Sequence, residues 1–298
     1  MTKTRRADRP DTAAPIDKRI GVIAGGGRLP VDLVQGLRAR GETPFVILIG
    51  GEVEDPGAFE GVPHAIIELE GAGRVIPLLK KEGVTTVVLA GTVARRPKAM
   101  RFRPILPLLP VLAKLVPALA RGDDNLLRVV VDHMESQGIK VAGAHELMPD
   151  LLVPAGVHTR RRPRRADKMD IEAAFAAAKA IGALDIGQAA VSVGGRAIAL
   201  EGIEGTDGLL ERVAGLRDHG RLSGRKGGVL VKCPKPGQEV RADLPAIGVH
   251  TVEGAHAAGL NGIAVEADTS LALGFKELIE KADELGLFVV GLPAEQSK

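Results

Sequence analysis

The chain contains no tryptophan and no tyrosine, and only six phenylalanines in 298 residues. Proteins that hold single-stranded nucleic acid stack its bases on aromatic side chains, so nucleic acid is not an expected partner. Cysteine is nearly absent. Cys233 stands alone, which excludes an intrachain disulfide and any cysteine-based zinc cluster and fits a reducing compartment. The seven histidines include no pair at the spacing of a helical zinc motif. Neither a nucleophile elbow nor a phosphate-binding P-loop is present. Long apolar runs are missing too. No stretch reaches the roughly 20 residues needed to span a bilayer, and residues 1–18 lack the apolar core of a secretion signal. These absences point to a cytoplasmic protein without a membrane span. Net charge is only +3, so there is no whole-chain basic field.

Positive charge is instead local. Arg160, Arg161, Arg162, Arg164 and Arg165 form one run, and Lys3, Arg5, Arg6 and Arg9 lie in the N-terminal tail. Such runs are solvated linkers or tails, or else they face an anionic surface. The length accommodates two domains. Residues 1–18 read as a disordered tail, 19–158 as an N-terminal domain, 159–168 as a basic linker and 169–293 as a C-terminal catalytic domain. In the first half, strands at 19–24, 44–49, 85–90 and 139–142 alternate with helices at 31–40, 74–82 and 125–137. That alternation predicts a Rossmann-like parallel sheet with helices on both faces. The second half predicts helices at 170–181, 208–217 and 275–285. Its strands fall at 189–193, 197–201, 228–232, 247–249, 262–265 and 287–290, with a hairpin turn at Gly194–Gly195. It reads as an α/β or α+β domain without clean alternation. Segment 100–120 (MRFRPILPLLPVLAKLVPALA) carries four prolines among many leucines. A regular helix tolerates that poorly. It reads as a covering loop with a short core helix, or as a greasy flap for acyl chains or the bilayer surface.

Two regions could carry chemistry. After the first strand come Gly25, Gly26 and Gly27, where a backbone could approach a phosphate beneath a helix N-terminus. Pro30 stands where a dinucleotide fingerprint needs its last glycine, so the motif is broken. Thr92, at the end of a strand, would face the same crevice, and Glu52 could meet a ribose. The second region is polar and acidic. It comprises Gln188, then Glu201, Glu204, Thr206 and Asp207 in ALEGIEGTD. Lys232 and, in KPGQEVRADLP, Gln238, Glu239, Arg241 and Asp243 complete it. Carboxylates with a lysine suit a divalent cation on a diphosphate, since Mg2+ needs only one or two carboxylates plus substrate phosphates. Structural readings compete: Thr206 or Asp207 could cap a helix, and Asp243 could order the turn before Pro245.

The stretches IAGGGRLP, AGTVARRP, RGDDNLLR, GAHELM, ALDIGQAAV, ALEGIEGTDGLLERV and VKCPKPGQEVRADLPAIGVHT run in order through most of the chain. They resemble the UDP-2,3-diacylglucosamine pyrophosphatases of lipid A biosynthesis, the type unrelated to calcineurin-like phosphoesterases. The resemblance implies two domains with substrate held between them. It also implies Mg2+ (or Mn2+) dependence and water attack on the uridine-side phosphorus. The products would be UMP and 2,3-diacylglucosamine 1-phosphate. By resemblance the essential aspartate of R-x-D-x-P falls on Asp243, and Thr206, Asp207, Lys232 and Gln238 face the diphosphate. Asp243, Asp207 and Lys232 are thus the expected catalytic residues, the two aspartates also being the metal ligands. Gly25, Gly26, Gly27, Thr92, Gln188, Thr206 and Gln238 are expected to bind substrate, although the family often has Asn where Thr92 stands. The inner-membrane surface is an expected partner, and homo-oligomerisation stays open. The competing classes are a nucleotide-cofactor oxidoreductase and a non-catalytic lipid-binding protein of the membrane surface.

Overall fold

The computed structural model describes residues 19–95, 123–222 and 224–293. The N-terminal tail and segment 100–120, with its expected acyl trough, lie outside the described residues.

The first half runs β1 (Arg19–Ala24), α1 (Leu29–Ala39), β2 (Phe45–Ile49), β3 (His64–Ile67), α2 (Val75–Lys81), β4 (Val84–Ala90), α3 (Asp123–Ser136), β5 (Lys140–Val141) and α4 (Ala144–Leu147). The five strands are all parallel in the order β3-β2-β1-β4-β5. β2 is apolar at every position and buried at every position, as a strand covered on both faces must be. Leu33, Val34 and Leu37 of α1 pack on one face with Val22, Val46 and Val88. Leu79 of α2 and Val131 and Met134 of α3 pack on the other with Ile47, Val87 and Val141. β3 is a strand that the sequence pattern did not reveal. It is an edge strand whose Ile66 is exposed, so its apolar residues do not mark a buried face.

The second half contains β6 (Gly156–Val157), α5 (Arg165–Ala183), β7 (Ala189–Ser192), β8 (Ala197–Leu200), α6 (Gly205–Gly215), β9 (Val229–Lys232) and β10 (Ala246–Ile247). It continues with α7 (Val249–Ala257), β11 (Gly262–Glu266), β12 (Leu271–Ala272), α8 (Phe275–Glu284) and β13 (Phe288–Leu292). Its main sheet has the order β6-β13-β11-β9-β7-β8. β9, β11 and β13 are parallel, whereas β6, β7 and β8 each run antiparallel to a neighbour. Helix α5 covers one face, and α6, α7 and α8 cover the other. α5 begins at Arg165, inside the arginine run. Ahead of it, the backbone N–H of Arg160 donates to Asp283 (2.7 Å), and the Arg161 guanidinium donates to the carbonyl of Gly286 (2.5 Å). This part of the run therefore lies against the C-terminal end of α8 and the turn into β13.

The two halves are in contact. Leu271, Leu244, Ala246 and Leu273 join the core beneath α1. The N–H of Gly274 donates to Asp32 of α1 at 3.1 Å, and Arg28 lies 3.5 Å from Glu277. On the α3 side, Arg241 pairs with Glu135 at 2.7 Å, and the Arg128 guanidinium donates to the carbonyl of Gly237. Loop 234–245 is thus tied to α3 of the N-terminal half.

Candidate active site

Lys232 closes β9 and is buried, its ammonium donating to the carbonyl of Ala246 at 2.8 Å. Burial lowers its pKa, against the opposing charges of Glu201, Asp243 and Asp207. A buried ammonium needs such partners to stay charged, so these three carboxylates and one lysine form a single electrostatic unit.

Each member is placed by an identifiable element. Glu201 follows β8 and is 5 % exposed. Its Oε2 accepts the N–H of Gln188 at 2.8 Å, and its Oε1 accepts the hydroxyl of Thr206 at 2.6 Å. Thr206 and Asp207 lie in the first turn of α6, where a carboxylate is favoured by the free N–H groups of the helix end. Neither residue is the cap: Glu204 occupies that position and makes no side-chain cap. Gln238 is buried and held at both ends, its Oε1 accepting from the N–H of Lys235 (2.9 Å) and its Nε2 donating to Asp243 (2.5 Å). Lys235 is itself fixed by Asp185 at 2.7 Å. Asp243 is half-buried, and its side chain engages Gln238. Its neighbours Ala242 and Leu244 pack into the two cores of the N-terminal half. The carbonyl of Gln188 accepts from Cys233 N–H, while its buried Oε1 has no partner. That atom is an acceptor available to a ligand.

The N-terminal candidates are organised differently. Gly25 N–H donates to the carbonyl of Ala90 (2.8 Å), Gly26 N–H to that of Thr92 (2.7 Å), and Thr92 N–H returns to Gly26 (3.0 Å). Gly25 and Gly26 are buried, and Gly27 is exposed with φ of 84°. Two of the three glycine donors are therefore committed to the exit of β4. A Cβ on Gly25 would lie 2.3 Å from the Thr92 carbonyl oxygen, which explains glycine there without a phosphate. Glu52 is also committed: it accepts from the N–H of Ala94 and the guanidinium of Arg95, both at 2.8 Å. A free ribose-binding carboxylate is not found at that position.

Lys232, Asp207 and Asp243 thus share one electrostatic environment. Thr206, Gln188 and Gln238 are tied to the same group, whereas Gly25, Gly26 and Thr92 are paired to the exit of β4 on the other sheet, with Gly27 exposed beside them. Glu201 is one of several carboxylates in the acidic stretch, and the sequence pattern assigns it no role of its own. Sequence cannot distinguish it from Glu204, three residues on. The fold turns Glu201 inward and pairs Glu204 with Arg212. Beside Glu201, an open groove of 620 Å³ is lined by Ile181, Ile186, Leu200 and Arg212.

Among the described residues no group of three or more His, Cys, Asp or Glu gathers closely enough to cage a metal. Asp207 and Asp243 offer hard oxygen ligands within the electrostatic reach of Lys232. That donor set fits Mg2+ arriving with a diphosphate, which supplies the remaining oxygens.

Family models describe both halves. The LpxI N-terminal domain matches residues 19–151, and the LpxI C-terminal domain matches residues 154–290. The UDP-2,3-diacylglucosamine pyrophosphatase LpxI of Caulobacter vibrioides is 41 % identical over 281 residues, spanning 94 % of this chain and 99 % of that protein. Among solved structures, a UDP-glucose 4-epimerase of Thermus thermophilus complexed with NAD overlaps at a TM-score of 0.28. Its identity is 13 %, with 94 % of this chain and 88 % of that one covered, an overlap too slight to speak for a shared fold. With both halves matched in order and a relative this similar over nearly its full length, the chain belongs to the LpxI family.

Proposed function

We propose that the chain hydrolyses the pyrophosphate of UDP-2,3-diacylglucosamine, releasing UMP and 2,3-diacylglucosamine 1-phosphate on the route to lipid A. The activity named for the Caulobacter relative supports this reading. The observation that carries it is the buried Lys232, fixed on the Ala246 carbonyl and under the opposing charges of Glu201, Asp243 and Asp207, which suits a diphosphate arriving with a cation.

Asp207 and Asp243 would hold Mg2+ (or Mn2+) together with the substrate, and the ion would supply charge neutralisation of the diphosphate. Lys232 adds a positive charge that needs no reorganisation, because the Ala246 carbonyl fixes its ammonium. Gln238 holds Asp243 in one orientation and is itself anchored by Lys235. Asp243 would then bind the metal or orient the water for attack on the uridine-side phosphorus. Gln188 Oε1, buried and without a partner, would accept a hydrogen bond from the nucleotide or sugar. Ile186, Leu200 and Ile203 expose apolar surface beside the site, which suits an amphiphilic substrate and work at the cytoplasmic face of the inner membrane. The oxidoreductase reading is the weaker one, since its glycine turn has spent two N–H donors internally.

The test is incubation of purified protein with the UDP-sugar and Mg2+. UMP should appear, and in 18O-labelled water the label should enter UMP. Asp243→Asn should reduce turnover at least about 100-fold while the protein still folds and binds substrate. Absence of UMP, or near-normal turnover in that variant, would refute the assignment.

A further inference from the structure

We propose that Glu201 is a positioning residue that fixes the Thr206 hydroxyl as a hydrogen-bond acceptor, so that Thr206 orients the attacking water instead of donating to the diphosphate. This rests on the hydrolase reading above and assigns a polarity within that site.

The argument begins with proton bookkeeping. A threonine hydroxyl has one proton to donate and two lone pairs. A carboxylate has only lone pairs, so the proton in the 2.6 Å contact between Thr206 Oγ1 and Glu201 Oε1 belongs to Thr206. While that bond stands, Thr206 has no proton for a phosphate oxygen, which is also only an acceptor. What it presents outward is its lone pairs. Those can receive a proton from a water molecule or approach a cation.

Glu201 cannot easily turn away and release the hydroxyl. It is 5 % exposed, its other oxygen accepts from Gln188 N–H at 2.8 Å, and its own N–H donates to the Ala189 carbonyl at 2.9 Å. Gly187 packs directly against it: a Cβ there would come within 2.4 Å of the Glu201 carbonyl oxygen. Both carboxylate oxygens are therefore engaged, and the backbone that carries them is held against β7 and Gly187. Thr206 is equally constrained, being in the first turn of α6 beside Asp207. A water donating to Thr206 Oγ1 would have its own lone pair free, as a nucleophile at phosphorus requires. Glu204, the exposed acid of the same segment, is paired with Arg212 and cannot replace Glu201.

The test is steady-state kinetics of Glu201→Gln, Thr206→Val, Thr206→Ser and the Glu201→Gln/Thr206→Val double variant, with melting curves for each. In Glu201→Gln the amide can donate to Thr206, reversing the polarity of the hydroxyl. The expected result is a kcat loss of about 30-fold to 100-fold with KM changed less than about three-fold. Thr206→Val should lose a similar factor, Thr206→Ser should restore most of it, and the double variant should be no worse than either single one. The proposal is overturned if Glu201→Gln retains kcat, if Thr206→Val acts through KM, or if the two losses multiply. Should Glu201→Gln not fold, the threonine pair alone decides by the same kcat and KM criterion. A wild-type protein that releases no UMP refutes the hydrolase reading instead, so the two failures are distinguishable.

Discussion

At Gly25, space is the constraint. Alanine there would meet the backbone carbonyl of Thr92 rather than a movable side chain. Gly25→Ala should therefore cost about 1–3 kcal/mol of stability, as overpacking at a rigid site does, measured by chemical denaturation. If the variant melts normally but raises KM for the UDP-sugar, the turn belongs to substrate binding. Lys232 supplies a second residue-level outcome. Its folded-state pKa is lowered from the usual 10.5, mainly by burial. Between the lowered value and 10.5 the unfolded chain binds more protons than the folded one, so stability rises with pH through that window and the penalty is fully present below it. Replacing Lys232 with Met should remove this rise, seen by comparing denaturation midpoints of the two proteins at neutral pH and near about pH 10. The same variant should lose turnover at both pH values. The pattern E-G-I-E-G-T-D showed carboxylates near a helix start, but not which of them faces inward, because that depends on where β7 lies relative to β8.

At the level of elements, loop 234–245 joins the packing of the two halves to the placement of Asp243. Ala242 and Leu244 insert into different cores of the N-terminal half, and Asp243 between them is left facing Gln238. Leu244→Ala removes part of that seat. It should cost about 1–2 kcal/mol, less than a fully buried leucine, yet lower kcat disproportionately because Asp243 loses its support. Equal small losses in kcat and in a distant core variant such as Leu79→Ala would argue against the seat. Most elements were legible from their patterns: β2 is five consecutive apolar residues, and β7 and β8 flank a glycine pair. Helix α7 was not read, since VHTVEGAHA mixes β-branched residues with glycine and has little amphipathic contrast. It forms because tertiary packing buries Val252 and Ala255 against α6 and α8. Short strands β10 and β12 likewise depend on their pairing with each other.

For the whole molecule, the metal is the most direct test. Without a cage of three or more acidic or histidine ligands among the described residues, Mg2+ has little to hold it before substrate arrives. EDTA should abolish turnover, and Mg2+ or Mn2+ should restore it, while the melting temperature of the free enzyme shifts by less than about 1 °C because little binding energy is linked to folding. A large thermal shift would mean a preformed protein site. The amino-acid sequence by itself determined the parallel sheet of the first half, the mixed second half and the exclusion of cysteine-based metal chemistry. It also marked the two stretches that hold the candidate-site carboxylates Glu201, Asp207 and Asp243. These follow from local periodicity, residue counts and motif order, which need no partner to be read. Tertiary structure alone decided that Glu201 is buried while Glu204 is not, and that the glycine turn pairs with Thr92. It also decided that Asp243 is aimed by residues packed into the opposite half. Each of those outcomes depends on which atoms lie across a gap between segments far apart in the chain, and no pattern within either segment encodes that distance.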